Sequence, residues 1–255
     1  MRISPLAVTA SIGLMILFVQ GFAAEAADIK LISAIPMTEV MKELGPQFER
    51  ATGHKLMIQY EVSGLFKRKI DSGEPFDVAI STSPVIDDLI NSGRILAGTR
   101  ANVAYAGVGI GVRAGTPKPD ISSVEALKRA LLSSNSVAHS KEGESGVYFK
   151  GLLERLGIAE EMKPKLKPMA GNTLVQAVPR GEAEMVVMAM SVILTSGAEL
   201  VGPLPSELQS YIRWVAGVGT AAEQPDAAKA LIRFLTAPAA VRAIKAKGME
   251  PGAPQ

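Results

Sequence analysis

From Ile29 to Asn91 the chain alternates three times between a short apolar run and a segment with helical spacing. That order leaves few folds open. Ile29 to Ile35 reads as a strand, and Met37 to Thr52 as a helix with Val40, Met41, Leu44 and Phe48 on one face and Gly53 as its stop. Pro46 inside this helix is expected to kink or restart it. Lys55 to Val62 alternates like a strand, Ser63-Gly64 opens a helix ending at Gly73, and Phe76 to Ile80 is a third strand before a helix from Pro84 to Asn91. Strands separated by helices cannot pair as hairpins. They must lie parallel, with the helices as crossovers, so an α/β architecture is expected.

The rest of the chain repeats this logic. Ala101 to Arg113 (ANVAYAGVGIGVR) is long, apolar and glycine-rich and reads as an extended strand. Ser122 with Glu125 has capping-box spacing ahead of a helix through Leu132. Val137 to His139, Leu166 to Met169 and Met185 to Met188 read as short strands. Helices are expected over Val147 to Leu156 and Asn172 to Val178. A strand over Ile212 to Val218 and two proline-started helices, Pro225 to Leu235 and Pro238 to Lys247, complete the chain. Two α/β units follow. Placing the crossings on the two long strands makes lobe one residues 27–105 plus 218–255 and lobe two residues 106–217, joined by a two-strand hinge.

Composition narrows the function. With no cysteine there is no disulfide framework, thiolate metal site or cysteine nucleophile, and two histidines, His54 and His139, exclude a histidine-rich metal cluster. A formal charge of +2 over 255 residues argues against a nucleic-acid surface. The 47% hydrophobic content excludes a disordered chain. Part of it belongs to the amino terminus, where Arg2, an apolar run from Leu6 to Phe22 and Ala24-Glu25-Ala26 follow the layout of a secretory signal peptide. Residues 1–26 are therefore expected to be removed on export, leaving a periplasmic protein.

Several turns have the chemistry of an anion site. In open parallel sheets ligands bind beyond the carboxyl ends of the strands. There the sequence places Pro36-Met37-Thr38, Ser63-Gly64, Ser81-Thr82-Ser83 and Glu144-Ser145-Gly146, each at a helix start. Such starts present unpaired N–H groups and the positive end of the helix dipole. A serine there is also an ordinary N-cap. Ser63-Gly64 and Ser145-Gly146 fall in different lobes, so a ligand between them would be gripped from both sides.

Over nearly its whole length after residue 26 the chain resembles the periplasmic molybdate-binding proteins of ABC transporters. The segments carrying the resemblance are YEVSGLFKRKIDSGEPFDVAIST, GESGVYFKGLLERLG and FLTAPAAVRAIKAKGM. The resemblance implies a type II periplasmic binding protein with two Rossmann-like lobes. It implies a non-enzymatic carrier without a cofactor or protein-ligated metal, working as a monomer with an ABC permease. It also implies a tetrahedral oxyanion such as molybdate or tungstate, held by hydroxyls, backbone N–H groups and a tyrosine. On this chain the ligand positions fall at Ser63, Gly64, Ser145 and Gly146, at Pro36, Met37 and Thr38 after the first strand, at Asn172 or Thr173, and at Ala189. Pro36 and Ala189 depart from the pattern, standing where the family has a serine and the tyrosine. A hydrogen bond to a charged group contributes about 1.5–3 kcal/mol, so two lost donors matter. Ser33, Thr38 and Ser191 are candidate substitutes, and a different or organic anion, for transport or sensing, is the second reading.

Other chemistries fit less well. His139 beside Ser140 suggests a secreted serine hydrolase, but no G-x-S-x-G elbow is present. His54, in a turn after a helix, reads as a solvated cap. Gly107, Gly109 and Gly111 lack dinucleotide-fingerprint spacing and suit a strand needing close backbone approach. Met185, Met188 and Met190 read as core more readily than as a copper site. Lys67, Arg68 and Lys69 read as a solvated helix face, a source of positive field near Ser63, or a permease contact.

Overall fold

The computed structural model describes residues 26–252; the expected signal peptide falls almost wholly outside them. The strands are β1 (Asp28–Ala34), β2 (Lys55–Glu61), β3 (Val78–Thr82), β4 (Ala101–Arg113), β5 (Val137–Ser140), β6 (Leu166–Met169), β7 (Met185–Ala189), β8 (Ala198–Pro203), β9 (Tyr211–Val218) and β10 (Glu250–Pro251). The helices are α1 (Thr38–Thr52), α2 (Ser63–Asp71), α3 (Ser83–Asn91), α4 (Val124–Ser133), α5 (Glu144–Arg155), α6 (Ala159–Met162), α7 (Gly171–Gln176), α8 (Met190–Ser196), α9 (Pro225–Thr236) and α10 (Val241–Ala246).

The strands form one sheet in the order β2-β1-β3-β9-β4-β7-β5-β6, with β8 and β10 also on β4. β1 pairs in parallel with β2 and β3, and β5 pairs in parallel with β6 and β7, as the strand–helix alternation requires. β4 serves both halves. Its first part, Ala101 to Gly107, lies antiparallel to β9, and its second part, Val108 to Val112, lies antiparallel to β7. The result is a type II binding-protein architecture of two α/β units, in which β9, expected in lobe two up to residue 217, lies against β3 and so belongs to the first half.

The glycines of β4 have the purpose expected of them. A Cβ on Gly109 would stand 2.6 Å from Met190 Cγ and 2.7 Å from the Gly202 carbonyl. One on Gly111 would stand 2.8 Å from Ile193. The missing side chains let α8 and β8 pack directly on the strand. A second fixed point is Asp77, fully buried before β3. Its carboxylate accepts from Lys30 N–H and Gln224 N–H, each at 2.8 Å, tying β1 and the residue before α9 to one side chain.

Several expectations need correction. The third strand begins at Val78, two residues later than expected, because Asp77 is held by these side-chain bonds and Phe76 precedes it outside the ladder. α1 continues through Pro46, which lies on the exposed face, where water can take the orphaned carbonyl. The cap of α4 is Ser123, whose hydroxyl accepts from Ala126 N–H at 3.2 Å, while Ser122 turns to Asp120. The last expected helix is a 3-10 turn over Pro238–Ala240 followed by α10. α6, α8 and β8 are absent from these expectations: α6 is a single turn, and α8 and β8 are short elements that follow β7 directly. His54 is not a solvated cap. It is buried, stacks on Phe48 with ring centroids 5.9 Å apart, and takes the Ala27 N–H on Nδ1 at 3.1 Å.

Overpacking a close-packed core typically costs about 1–3 kcal/mol. Gly109→Ala is therefore expected to lower the unfolding free energy by about that amount in urea denaturation, whereas Gly98→Ala, with open space at its Cβ, should change it by less than about 0.5 kcal/mol.

Candidate functional site

The carboxyl ends of β1, β2, β3, β5 and β7 converge on one cavity of about 100 Å³. From the first half come Ala34, Pro36, Glu61, Val62, Thr82, Ile212 and Trp214; from the second come Ser140, Gly143, Glu144, Ser145, Gly171 and Ala189. Clefts for drug-sized ligands run to roughly 300–1,000 Å³, so this one suits a few-atom ligand. Among the described residues no lysine or arginine lines it.

The expected site residues divide into two groups. Ser145 lines the cavity and is buried at the start of α5. Gly146 follows it, and its lack of a side chain is essential, since a Cβ there would stand 1.8 Å from the Ser140 carbonyl oxygen. Ser63 and Gly64 open α2 directly after Glu61 and Val62, which line the cavity. Pro36 and Ala189 also line it, so the two departing positions are at the site and supply no side-chain donor. The other expected contacts sit elsewhere. Met37 is fully buried in the core, and Thr38 Oγ1 donates to Ile35 O at 2.6 Å. Asn172 and Thr173 are exposed on α7, where Gly171, Leu174 and Val175 take the cavity face instead. Of the candidate substitutes, Ser33 Oγ lies 3.5 Å from Ala34 O, and Ser191 Oγ is buried without a partner.

Sequence reasoning missed two residues as ligand groups, Glu144 and Trp214. Glu144 is the first residue of α5 and lines the cavity. Burial pushes its carboxyl above the usual glutamate range, while a hydrogen bond with Thr82 and the charge of Arg213 pull it the other way. Its Oε2 is buried and unpartnered. Trp214, the single tryptophan, is 1% exposed, lines the same cavity and has an unpartnered Nε1–H. Thr82 pairs with Trp214 in the β3–β9 ladder, so these three groups are neighbours. The sequence offered no periodic signal for either residue.

The two halves touch across the cleft. Arg68 stands 3.8 Å from Glu142, and the Cβ position of Gly171 is 3.8 Å from Val62 Cγ1. The basic run on α2 is matched by acids. Lys67 pairs with Asp71 at 2.6 Å and Asp88 at 3.3 Å, and Lys69 pairs with Glu61. It therefore adds little field to the cavity.

The hydrolase arrangement is not formed. His139 Nδ1 lies 3.0 Å from the Ser140 carbonyl, while the Ser140 hydroxyl accepts from Gly143 N–H at 2.7 Å. The ring is 1% exposed and packs on Phe149. Among the described residues no group of three or more His, Cys, Asp or Glu side chains is arranged to hold a metal.

Residues 29–250 match the bacterial extracellular solute-binding protein family. The chain belongs to this family. The molybdate-binding protein ModA of Azotobacter vinelandii is 30% identical over 233 residues, covering 89% of this chain and 91% of that protein. An aconitate isomerase from a Pseudomonas species is 28% identical over 243 residues, covering 88% of this chain and 92% of that protein. The solved periplasmic molybdate-binding protein of A. vinelandii superposes with a TM-score of 0.74 at 21% identity, covering 89% of this chain and all of that one. The sulfate-binding protein SubI of Mycobacterium tuberculosis superposes with a TM-score of 0.72 at 18% identity, covering 88% of this chain and 87% of that one. The solute-binding protein is thus ModA-like in family and fold.

Burial lowers the proton affinity of the His139 ring, the chief cause; the Ser140 carbonyl raises it and Lys150 lowers it further. The folded state therefore favours neutral imidazole. The unfolded chain takes up the proton first as pH falls through the ordinary imidazole value of about 6.5, and stability is lost below it. Replacing His139 with Gln should flatten that part of the pH profile of Tm between pH 5 and 7. A profile as steep as wild type's would show that His139 is not its source.

Proposed function

We propose that this chain is a periplasmic solute-binding protein that captures a small oxyanion of the molybdate or tungstate type in the cleft and delivers it to an ABC permease. The observation that carries this is the set of helix starts at one small cavity. α2 and α5 reach it from opposite halves, with Ser145 buried at its wall and no basic side chain lining it. Helix-start N–H groups bind anions without a counter-charge, and excluding water strengthens each contact. The N-terminal pattern from Arg2 to Ala26 supports export and cleavage, and the ModA relative supports the permease partner.

The hinge of a closing motion belongs where the chain crosses between halves. Val108 N–H donates to Ser210 O at 2.9 Å and Leu204 N–H donates to Val108 O at 3.2 Å, so the two crossing segments run side by side. Closure about this pair would hold Val62 against Gly171 and Thr82 beside Glu144, where they stand in this structure. We take the protein to work as a monomer with no catalytic step.

A second reading, a small organic acid, is favoured by Pro36, Ala189, Leu174 and Trp214 in the wall and by the aconitate isomerase relative. Isothermal calorimetry of the mature protein separates the two. Saturable binding of molybdate or tungstate, with none of trans-aconitate, is the expected result. Binding of the tricarboxylate alone would overturn the oxyanion assignment and leave the cleft as an organic-acid site.

Gly146→Ala should abolish anion binding in the same assay, because the start of α5 must move off Ser140. Gly151→Ala, whose Cβ meets nothing within 4 Å, should bind as wild type does.

A further inference from the structure

The cavity wall contains two buried polar atoms with no partner, Trp214 Nε1 and Glu144 Oε2. An unsatisfied buried polar group costs about 1–3 kcal/mol, and such groups in native proteins call for an explanation. These two stand on different halves of the fold, around Thr82, at a site whose Pro36 and Ala189 offer no side-chain donor. An indole N–H can only donate. It therefore points to an acceptor oxygen on whatever fills the cavity.

Glu144 is the harder case. An ionised carboxylate only accepts, and beside an anion in a small apolar cavity it would repel. A protonated carboxyl has an O–H to give. We propose that the Trp214 indole N–H and the Glu144 carboxyl, carrying its proton, are the two donors that complete the anion site where Pro36 and Ala189 supply none. This rests on the oxyanion reading above and adds a consequence: the anion binds together with a proton held on Glu144.

The surroundings of Glu144 fit this state. Burial favours the neutral form. From β9, Arg213 opposes it through its charge, and from β3, Thr82 does so through a hydrogen bond. From β2 and α2, Glu61 is already paired with Lys69, and Glu142, ahead of α5, faces Arg68. From β5, His139 lies in the core against Phe149, in the environment that favours its neutral form. An entering anion adds negative charge beside Glu144 and favours the proton further. No bond is made or broken apart from this proton, which comes from solvent.

The test is calorimetry of molybdate binding to the mature protein from pH 5.5 to 8.5, repeated in buffers of different ionisation enthalpy. Wild type should weaken as pH rises and take up a fraction of a proton that approaches one per anion towards alkaline pH. Glu144→Gln, which keeps a donor but cannot titrate, should still bind, with no proton uptake and a flat profile. Trp214→Phe should bind about 10- to 100-fold more weakly with the pH dependence intact. No proton uptake by wild type at any pH, or a Glu144→Gln profile as steep as wild type's, overturns the role of Glu144. Wild-type affinity in Trp214→Phe overturns that of the indole.

Failure of the oxyanion reading would look different. If molybdate, tungstate and sulfate all fail to bind wild type, that reading falls, and the ligand-free protein decides the state of Glu144. A carboxyl with folded proton affinity above its unfolded value loses stability as pH rises through that window. The Tm of Glu144→Gln should then gain on that of wild type between pH 4.5 and 7. A constant difference in Tm means that Glu144 is ionised throughout, and the inference fails with it.

Discussion

Everything at the cleft depends on one strand belonging to both halves of the molecule. β4 gives its first seven residues to β9 and its next five to β7, so the two α/β units share a continuous hydrogen-bonded sheet. Its glycines allow this. Side chains at Gly109 and Gly111 would drive α8 and β8 off the strand. Because β1, β2 and β3 on one side and β5, β6 and β7 on the other present their carboxyl ends to the same gap, the helices that follow them start there too. The binding site is a consequence of sheet topology before any particular side chain is considered.

The electrostatics of that gap bear on the proposed anion site. The basic side chains of α2 are paired with Asp71, Asp88, Glu61 and Glu142, while Arg213 on β9 acts on Glu144 through its charge. What remains for a ligand is helix-start N–H groups, a few hydroxyls, an indole N–H and a buried carboxyl. Neutral donors in a dry cavity favour small, compact anions, and the cost of burying such an ion is offset only when every one of its oxygens is met. The two walls that provide no donor, at Pro36 and Ala189, therefore make the remaining polar atoms decisive. Of the residues lining the cavity, Glu144 and Trp214 carry the buried polar atoms that the fold leaves without a partner.

Much of the framework was legible in the sequence. Strand–helix alternation up to Asn91 required a parallel sheet, and the long run from Ala101 to Arg113 was recognisable as a single strand by its length and lack of helical spacing. The alternating glycines were rightly connected with close backbone approach. The helix-start pattern pointed to Ser145 and Gly146; Ser145 lines the cavity, and a Cβ on Gly146 would collide with the Ser140 carbonyl. Boundaries were less secure where a side chain competes with the backbone, as Asp77 does before β3 and Ser123 does before α4. The segment after β7 escaped because α8 and β8 are only seven and six residues long, so neither helical nor strand periodicity stands out.

By itself the sequence determined the α/β class and the kind of chemistry available, because periodicity, glycine placement and the absence of cysteine act locally along the chain. Only the tertiary structure decided which groups meet. Thr82, Glu144 and Trp214 are far apart in sequence and become neighbours through the β3–β9 ladder and the approach of α5 across the cleft. His54 and His139 became buried ring packers, and Asn172 and Thr173 turned outward, for the same reason. Burial and partnership are properties of contacts between distant segments, and no local pattern encodes them.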